Sequence, residues 1–439
     1  MTSPCPSARS HLAHWRAATL VALGATALAA GCGSTAAPKA AKPPATTTQA
    51  APKTVATVPP APPTGAAPGS SPAYPGPAWP AALHDSRHSG ASAATGPTTG
   101  AMLWTRNLGA PVVAGAVVGS DGTIYESANN GVLHALDPAT GADRWTYDGG
   151  GSSDNGQDLS TSAAVLADGT IAWPGPNSTL YGIDPHGKLL WQQKLAGAVL
   201  SPALGPGGQL YVADSKGDVA AYQASAAGAH QMWTTSIGKA SFGSPAVAAD
   251  GTVYATSGPD LVALTDNGSS ATVKWRFTAG ADIEVSAAVA PDGTVVLGTN
   301  DLYEYGITPA GSVAWRYPRN VFSYSTPAAT ADGLAYFGDN DGYVDVVKAS
   351  TGTVVGRYDG TSQALSPNGI GVWTSPAVDA HHDVYFGTAS GHILGFSYSG
   401  TKLLDVATGQ IVASYPALTA NGTLLIGSDN GTLYAFRAA

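Results

Sequence analysis

Cysteine is nearly missing from this chain of 439 residues: there are two, Cys5 and Cys32, both close to the N-terminus. The rest of the chain therefore forms no disulfide and offers no thiolate metal site, and must hold together by packing. Charge is scarce too. Asp, Glu, Lys and Arg make up 11% of the residues, and the formal net charge is −9, which leaves no basic field for nucleic acid. Long apolar runs are also lacking. The run from Ala17 to Ala30 is too short and too rich in small residues for a membrane-spanning helix; preceded by Arg9 and Arg16, it reads as an export signal over residues 1–31. What is plentiful is glycine, 55 residues of it, which with many aromatics and few charges predicts a turn-dense all-β protein.

The signal ends in Leu28-Ala29-Ala30-Gly31-Cys32, which resembles the lipobox of bacterial lipoproteins. The resemblance implies that Cys32 is acylated and anchors the mature chain, each buried methylene adding about 0.8 kcal/mol. Residues 32–78 are then mostly Ala, Pro and Thr. That composition cannot bury enough apolar area to offset chain entropy, and predicts a disordered spacer holding a head away from the membrane.

From residue 79 a phrase repeats. Its first full copy runs Asp121-Gly122-Thr123-Ile124-Tyr125, then Asn130-Gly131 and Val132-Leu133-His134-Ala135-Leu136, then Thr140-Gly141 and Trp145. The opening glycine returns at Gly169, Gly208, Gly251, Gly293, Gly333 and Gly422, with His382 in its place in the seventh copy. The spacing fits a four-stranded propeller blade. Asp-Gly and Asn-Gly pairs turn the chain between strands because glycine accepts positive φ. Trp104, Trp145, Trp191, Trp233, Trp275 and Trp315 recur on the fourth strand, where a flat side chain wedges between neighbouring blades and buries about 150–250 Å². The aligned positions Gly356 and Leu404 lack that wedge.

The ends of the chain fix the blade count. The last copy, residues 410–437, stops after three strands, and residues 101–107, which carry Trp104, have a fourth-strand pattern with nothing before them. Pairing the two closes an eight-bladed ring and removes the free sheet edges. One propeller over residues 79–439 follows.

Ala135-Leu136-Asp137-Pro138-Ala139-Thr140-Gly141 followed by Trp145 resembles the tryptophan-docking motif of PQQ-like, quinoprotein-type propellers, and the segment from Trp79-Pro80 through His84-Asp85 to Gly96-Pro97 resembles their usual lead-in. The resemblance implies the fold over about residues 79–439. Quinone-dependent dehydrogenases share it, and their site needs a vicinal cysteine pair, calcium ligands and a catalytic Asp. The pair is absent here, so neither a catalytic residue nor a cofactor is assigned. Gly338-Asp339-Asn340-Asp341-Gly342 reads as a hairpin turn, since Phe337 would hold the first ligand position of a calcium loop; His381-His382-Asp383 stands in an Asp-Gly turn slot, and no metal is expected.

What remains is a surface. The loop leading into each innermost strand and the turn between second and third strands open on one face. Phe242, Tyr324 and Trp373 hold equivalent places in those inlet loops and form the candidate binding rim, with long loops at about 148–160 and 359–372 on the same face. The expectation is an exported, membrane-anchored, monomeric head that binds an envelope protein or polysaccharide without catalysis, as implied by resemblance to the propeller lipoproteins of the outer-membrane β-barrel assembly machinery. A quinone-binding propeller and an extracellular glycan-binding head are the alternatives.

Overall fold

Eight four-stranded antiparallel sheets make up the described structure, and in seven of them the strand order follows the chain from inside to outside. It is a computed structural model that describes residues 79–151, 161–240, 243–360 and 371–438. Blade 1 consists of Val117–Val118, Ile124–Ala128, Val132–Leu136 and Asp143–Asp148, and the pattern repeats through blade 7. The eighth sheet is built from both ends of the chain: Ala417–Leu418, Leu424–Gly427 and Thr432–Phe436 are completed by Met102–Asn107. Trp104 lies opposite Ala435 and Asn107 opposite Thr432.

The local chemistry of the repeat explains its turns. In Asp121-Gly122-Thr123 the Asp carboxylate accepts the Thr123 N–H at 3.0 Å while Gly122 sits at φ +81°. The same bond recurs at Asp168, Asp250 and Asp292. A side chain that closes its own turn fixes register, because one residue of slip would turn every apolar side chain outward. In the seventh copy His382 takes the left-handed position, with φ +64°.

The innermost strands have two residues each, mostly Ala followed by Val or Leu, all buried. Small side chains are required where eight sheets converge on one axis. The blades then pack face to face through apolar clusters that each draw on neighbouring sheets.

Six tryptophans bridge the blades. Each tryptophan stands on the fourth strand of its own sheet opposite a small residue of the third, such as Trp145 opposite Ala135 or Trp315 opposite Gly306. A Cβ at Gly306 would stand 2.2 Å from the ring of Trp315. The indole N–H then reaches into the next blade. Trp104 donates to the Pro138 carbonyl (2.9 Å), Trp145 to Pro185 (2.8 Å), Trp191 to Ser225 (2.7 Å), Trp275 to Pro309 (2.9 Å) and Trp315 to Ala349 (2.6 Å). Trp233 donates instead to the Asp266 carboxylate at 2.8 Å. The ring also covers a glycine of the receiving turn. A Cβ on Gly141, Gly187, Gly311 or Gly352 would come within 2.5–2.8 Å of the incoming indole.

Blades 6 and 7 depart from the scheme for different reasons. Leu404 in blade 7 faces blade 8, whose third and fourth strands come from opposite chain ends and so have no turn to receive an indole. In blade 6 the small and large partners are exchanged, Val346 facing Gly356. The seam there is filled rather than empty. Tyr336, Tyr358 and Tyr398 are all buried, and the Tyr398 ring packs 5.4 Å from that of His382.

The lead-in segment plugs the channel. The chain from Trp79 to Ser92 crosses the axis on the side of the turns between first and second strands, and almost all of it is buried. Its carbonyls accept from the second residue of one innermost strand after another: Trp79 from Val118, Pro80 from Val165, Ser86 from Val247, Arg87 from Val289 and Gly90 from Val378. Five blades are thus tied to one peptide. Without it those N–H groups would face the channel unpaired, each at a cost of about 1–3 kcal/mol if left dry.

Candidate binding rim at the open mouth

With one end of the channel closed by the chain itself, the other mouth is formed by the inlet loops and the turns between second and third strands. Backbone bonds join the two sets: Val372 N–H donates to the Asp339 carbonyl (2.7 Å), Asn300 N–H to Asp282 (3.0 Å) and Asn129 N–H to Pro111 (2.9 Å).

The structure brings two of the three rim aromatics together. The rings of Tyr324 and Trp373 stand 6.0 Å apart, edge to face, and both are half-buried. Phe242 lies outside the described residues, as do 152–160 and 361–370 of the two long loops, and Cys32. Phe322, which the sequence reading passed over, joins the pair from the other side at 5.2 Å, again edge to face. The signal was present in Phe322-Ser323-Tyr324: in an extended inlet loop, residues two apart point the same way. Ser323, between them, is buried and its hydroxyl donates to the Gly338 carbonyl at 2.7 Å.

One acid, Glu284, acts on the Tyr324 hydroxyl. Burial pushes the Glu284 carboxyl up, and the Tyr324 hydroxyl beside it is pushed up to about 12 by its own burial and by that carboxylate. Beneath the loop lies a buried ionic network. Arg319, which opens the inlet loop of blade 6, pairs with Glu304 and approaches Asp339 at 3.5 Å, and its guanidinium also donates to the Gly338 carbonyl at 2.7 Å. Arg357 binds Asp345 at 2.8 Å and the Tyr317 hydroxyl at 3.0 Å. Burial dominates at Glu304 and raises it to about 7 despite the neighbouring guanidinium. Glu304 Oε2 and Arg319 Nε have no hydrogen-bond partner, so the network anchors the loop with charge left imperfectly matched.

The described residues contain one group with metal-like spacing: Asp379, His381 and Asp383, whose ligand atoms lie within 4.8 Å of one another. Its oxygens are already in use. The Asp379 carboxylate accepts the N–H groups of His381 (2.8 Å), Asp383 (2.9 Å) and Gly96 (2.8 Å), and Asp383 accepts that of Tyr398 (3.0 Å). The group is a reinforced turn on the plugged side, away from the rim. The vicinal cysteine pair of the quinone-dependent dehydrogenases has no equivalent here, since the folded part has no cysteine.

Eight closed blades with indoles docked on the following turn define a PQQ-like β-propeller. The sequence profile described as "Outer membrane protein assembly factor BamB" matches residues 89–155, 149–227 and 224–439, and the chain belongs to that family. No curated protein sequence matches the chain. Among solved structures it is similar to the quinohemoprotein alcohol dehydrogenase from Comamonas testosteroni, at 16% identity with a TM-score of 0.62, covering 82% of this chain and 80% of that one. At that identity the likeness is one of fold.

Proposed function

We propose that the protein is a non-catalytic binding head of the cell envelope, anchored through Cys32, that presents the open mouth of its channel to a protein partner. The observation that carries this reading is the asymmetry of the two faces. The chain closes one mouth with its own residues 79–92, while the other gathers half-buried aromatics on a rigid ring. Family membership supports a binding role, since the family is described by an assembly factor. Trp79 pairs with Val118 on the plugged side, so an anchor on the segment preceding it would leave the rim facing outward.

Site-specific photocross-linking in cells tests the orientation. A cross-linker replacing Trp373 is expected to give discrete protein adducts, and one replacing His381, exposed on the plugged side, none. Adducts from His381 alone would reverse the assignment of the faces.

A further inference from the structure

A repeat protein carries its own standard of comparison, and the departures from it gather in one place. Gly356 stands where six sister strands have a docking tryptophan. The turn that would receive that indole has Tyr398 where blades 1, 2, 5 and 6 have Pro138, Pro185, Pro309 and Ala349, and among the described residues no indole donates to the Tyr398 carbonyl. Lys348 opens the corresponding turn of blade 6, where blades 1, 2, 5 and 7 have Asp137, Asp184, Thr308 and Ser397. Leu334 replaces the threonine of the Asp-Gly-Thr turn, so Asp332 does not close its own turn. Its carboxylate accepts the Thr330 hydroxyl at 2.6 Å instead, and lies 3.4 Å from Nε2 of His382, itself in a glycine slot. The other ring nitrogen of His382 meets the Tyr336 hydroxyl at 3.1 Å. Tyr336 and Tyr358 are buried in the body of this seam between blades 6 and 7. Beside them, at the plugged-side turns, a cavity of about 650 Å³ is lined by Asp292, Asp332, Leu334, Lys348, Val355 and Tyr398. That is the size of a small-molecule site. Lys348 shares the cavity with two carboxylates and pairs with neither: among the described residues its ammonium has no hydrogen-bond or ion-pair partner.

We propose that this cavity is a binding site for a free aromatic α-amino acid, tryptophan above all, held at the seam between blades 6 and 7. Five docked indoles show what the repeat places over a receiving turn: a flat ring with its N–H on the turn carbonyl. Where blade 6 supplies no ring, a ligand can. Leu334, Val355 and Tyr398 then form its apolar walls, and the Tyr398 carbonyl is its acceptor. The charges select the rest. Lys348 meets a carboxylate, while Asp292 and Asp332 meet an ammonium, so a ligand carrying both on one carbon answers both signs. A plain aromatic acid would bring its charge against two carboxylates, and a neutral indole would leave Lys348 unused. The site lies on the face opposite the rim and does not depend on it.

Calorimetric titration of the full-length protein with L-tryptophan gives the test, and one saturable site per chain is expected. 3-Benzothienylalanine, with sulfur in place of the indole N–H, should bind at least about threefold more weakly, the worth of one ordinary hydrogen bond. Lys348 is exposed, so Lys348→Gln should leave the thermal midpoint unchanged while weakening tryptophan at least about tenfold, the worth of a bond to a charged group. Val346→Gly combined with Gly356→Trp rebuilds the arrangement of Gly306 and Trp315 and should abolish binding, because the chain's own indole then takes the place. The Lys348→Gln result decides by itself should that double variant fail to fold. No saturable heat at millimolar tryptophan, or undiminished binding by Lys348→Gln, would overturn the proposal. Equal binding of benzothienylalanine would overturn the choice of tryptophan. Equal binding of N-acetyl-tryptophan amide, which lacks both charges, would overturn the amino-acid site in favour of an indole presented by another protein.

Discussion

A single indole does three jobs in this ring: it fills the space over a small residue of its own sheet, covers a glycine of the next, and donates its N–H there. Trp315 shows all three, against Gly306, Gly352 and the Ala349 carbonyl. Trp315→Ala should therefore lower stability by about 3 kcal/mol, from lost burial and the cavity left behind. The effect should appear as a lower midpoint in denaturant, with native circular dichroism retained before the transition. Glu304 makes a different point. Its carboxyl is raised to about 7 in the folded state from an ordinary 4.5, chiefly by burial. The folded protein thus holds a proton that the unfolded chain releases, so this group's contribution to stability falls as pH rises from about 4.5 to 7 and stays low above that. Glu304→Gln should flatten the decline; denaturation midpoints collected across that range for both proteins check it. The tryptophans were legible in the sequence because they recur. Glu304 was not. It stands where sister blades have Leu133, Leu180, Val219 and Leu261, and a single acid among apolar positions looks like noise until its buried guanidinium partner is seen.

Among elements, the strands and the plug differ in how they announce themselves. Strands are written by alternation and by Asp-Gly-Thr turns whose side chains close them, so their order could be read directly. The plug has neither period nor pairing. Residues 79–92 include left-handed backbone at Leu83, His84, His88 and Gly90, and join each blade through isolated bonds that no sequence pattern encodes. The rim was half legible for a related reason. Equivalence between repeats marked Tyr324 and Trp373, while Phe322 has no counterpart in the other inlet loops and emerged only from its contact with Tyr324. Removing residues 79–97 should leave a folded ring that is easier to open, because five inward N–H groups lose their acceptors. Hydrogen exchange should accelerate at Val118, Val165, Val247, Val289 and Val378, with outer-strand amides little changed. Exchange that speeds up uniformly would mean the plug is required for the fold as a whole.

For the whole molecule, the decisive contact is the one between the chain's two ends. Met102–Asn107 against Thr432–Phe436 completes blade 8 and places Trp104 on the turn of blade 1. Deleting residues 101–107 would expose the Thr432–Phe436 edge and strip blade 1 of its incoming indole. The shortened protein is expected to self-associate through that edge, measurable as a rise in mass by light scattering, while full-length protein stays monodisperse. This closure also sets a schedule. The strand that seals the circle, Met102–Asn107, precedes its mate, Thr432–Phe436, by more than three hundred residues, so the circle cannot shut until the ribosome has delivered that mate. Until then the early strand and the plug, made first, wait without their partners. A chain built this way stays open until Thr432–Phe436 can pair with Met102–Asn107, so the ring takes its finished shape late.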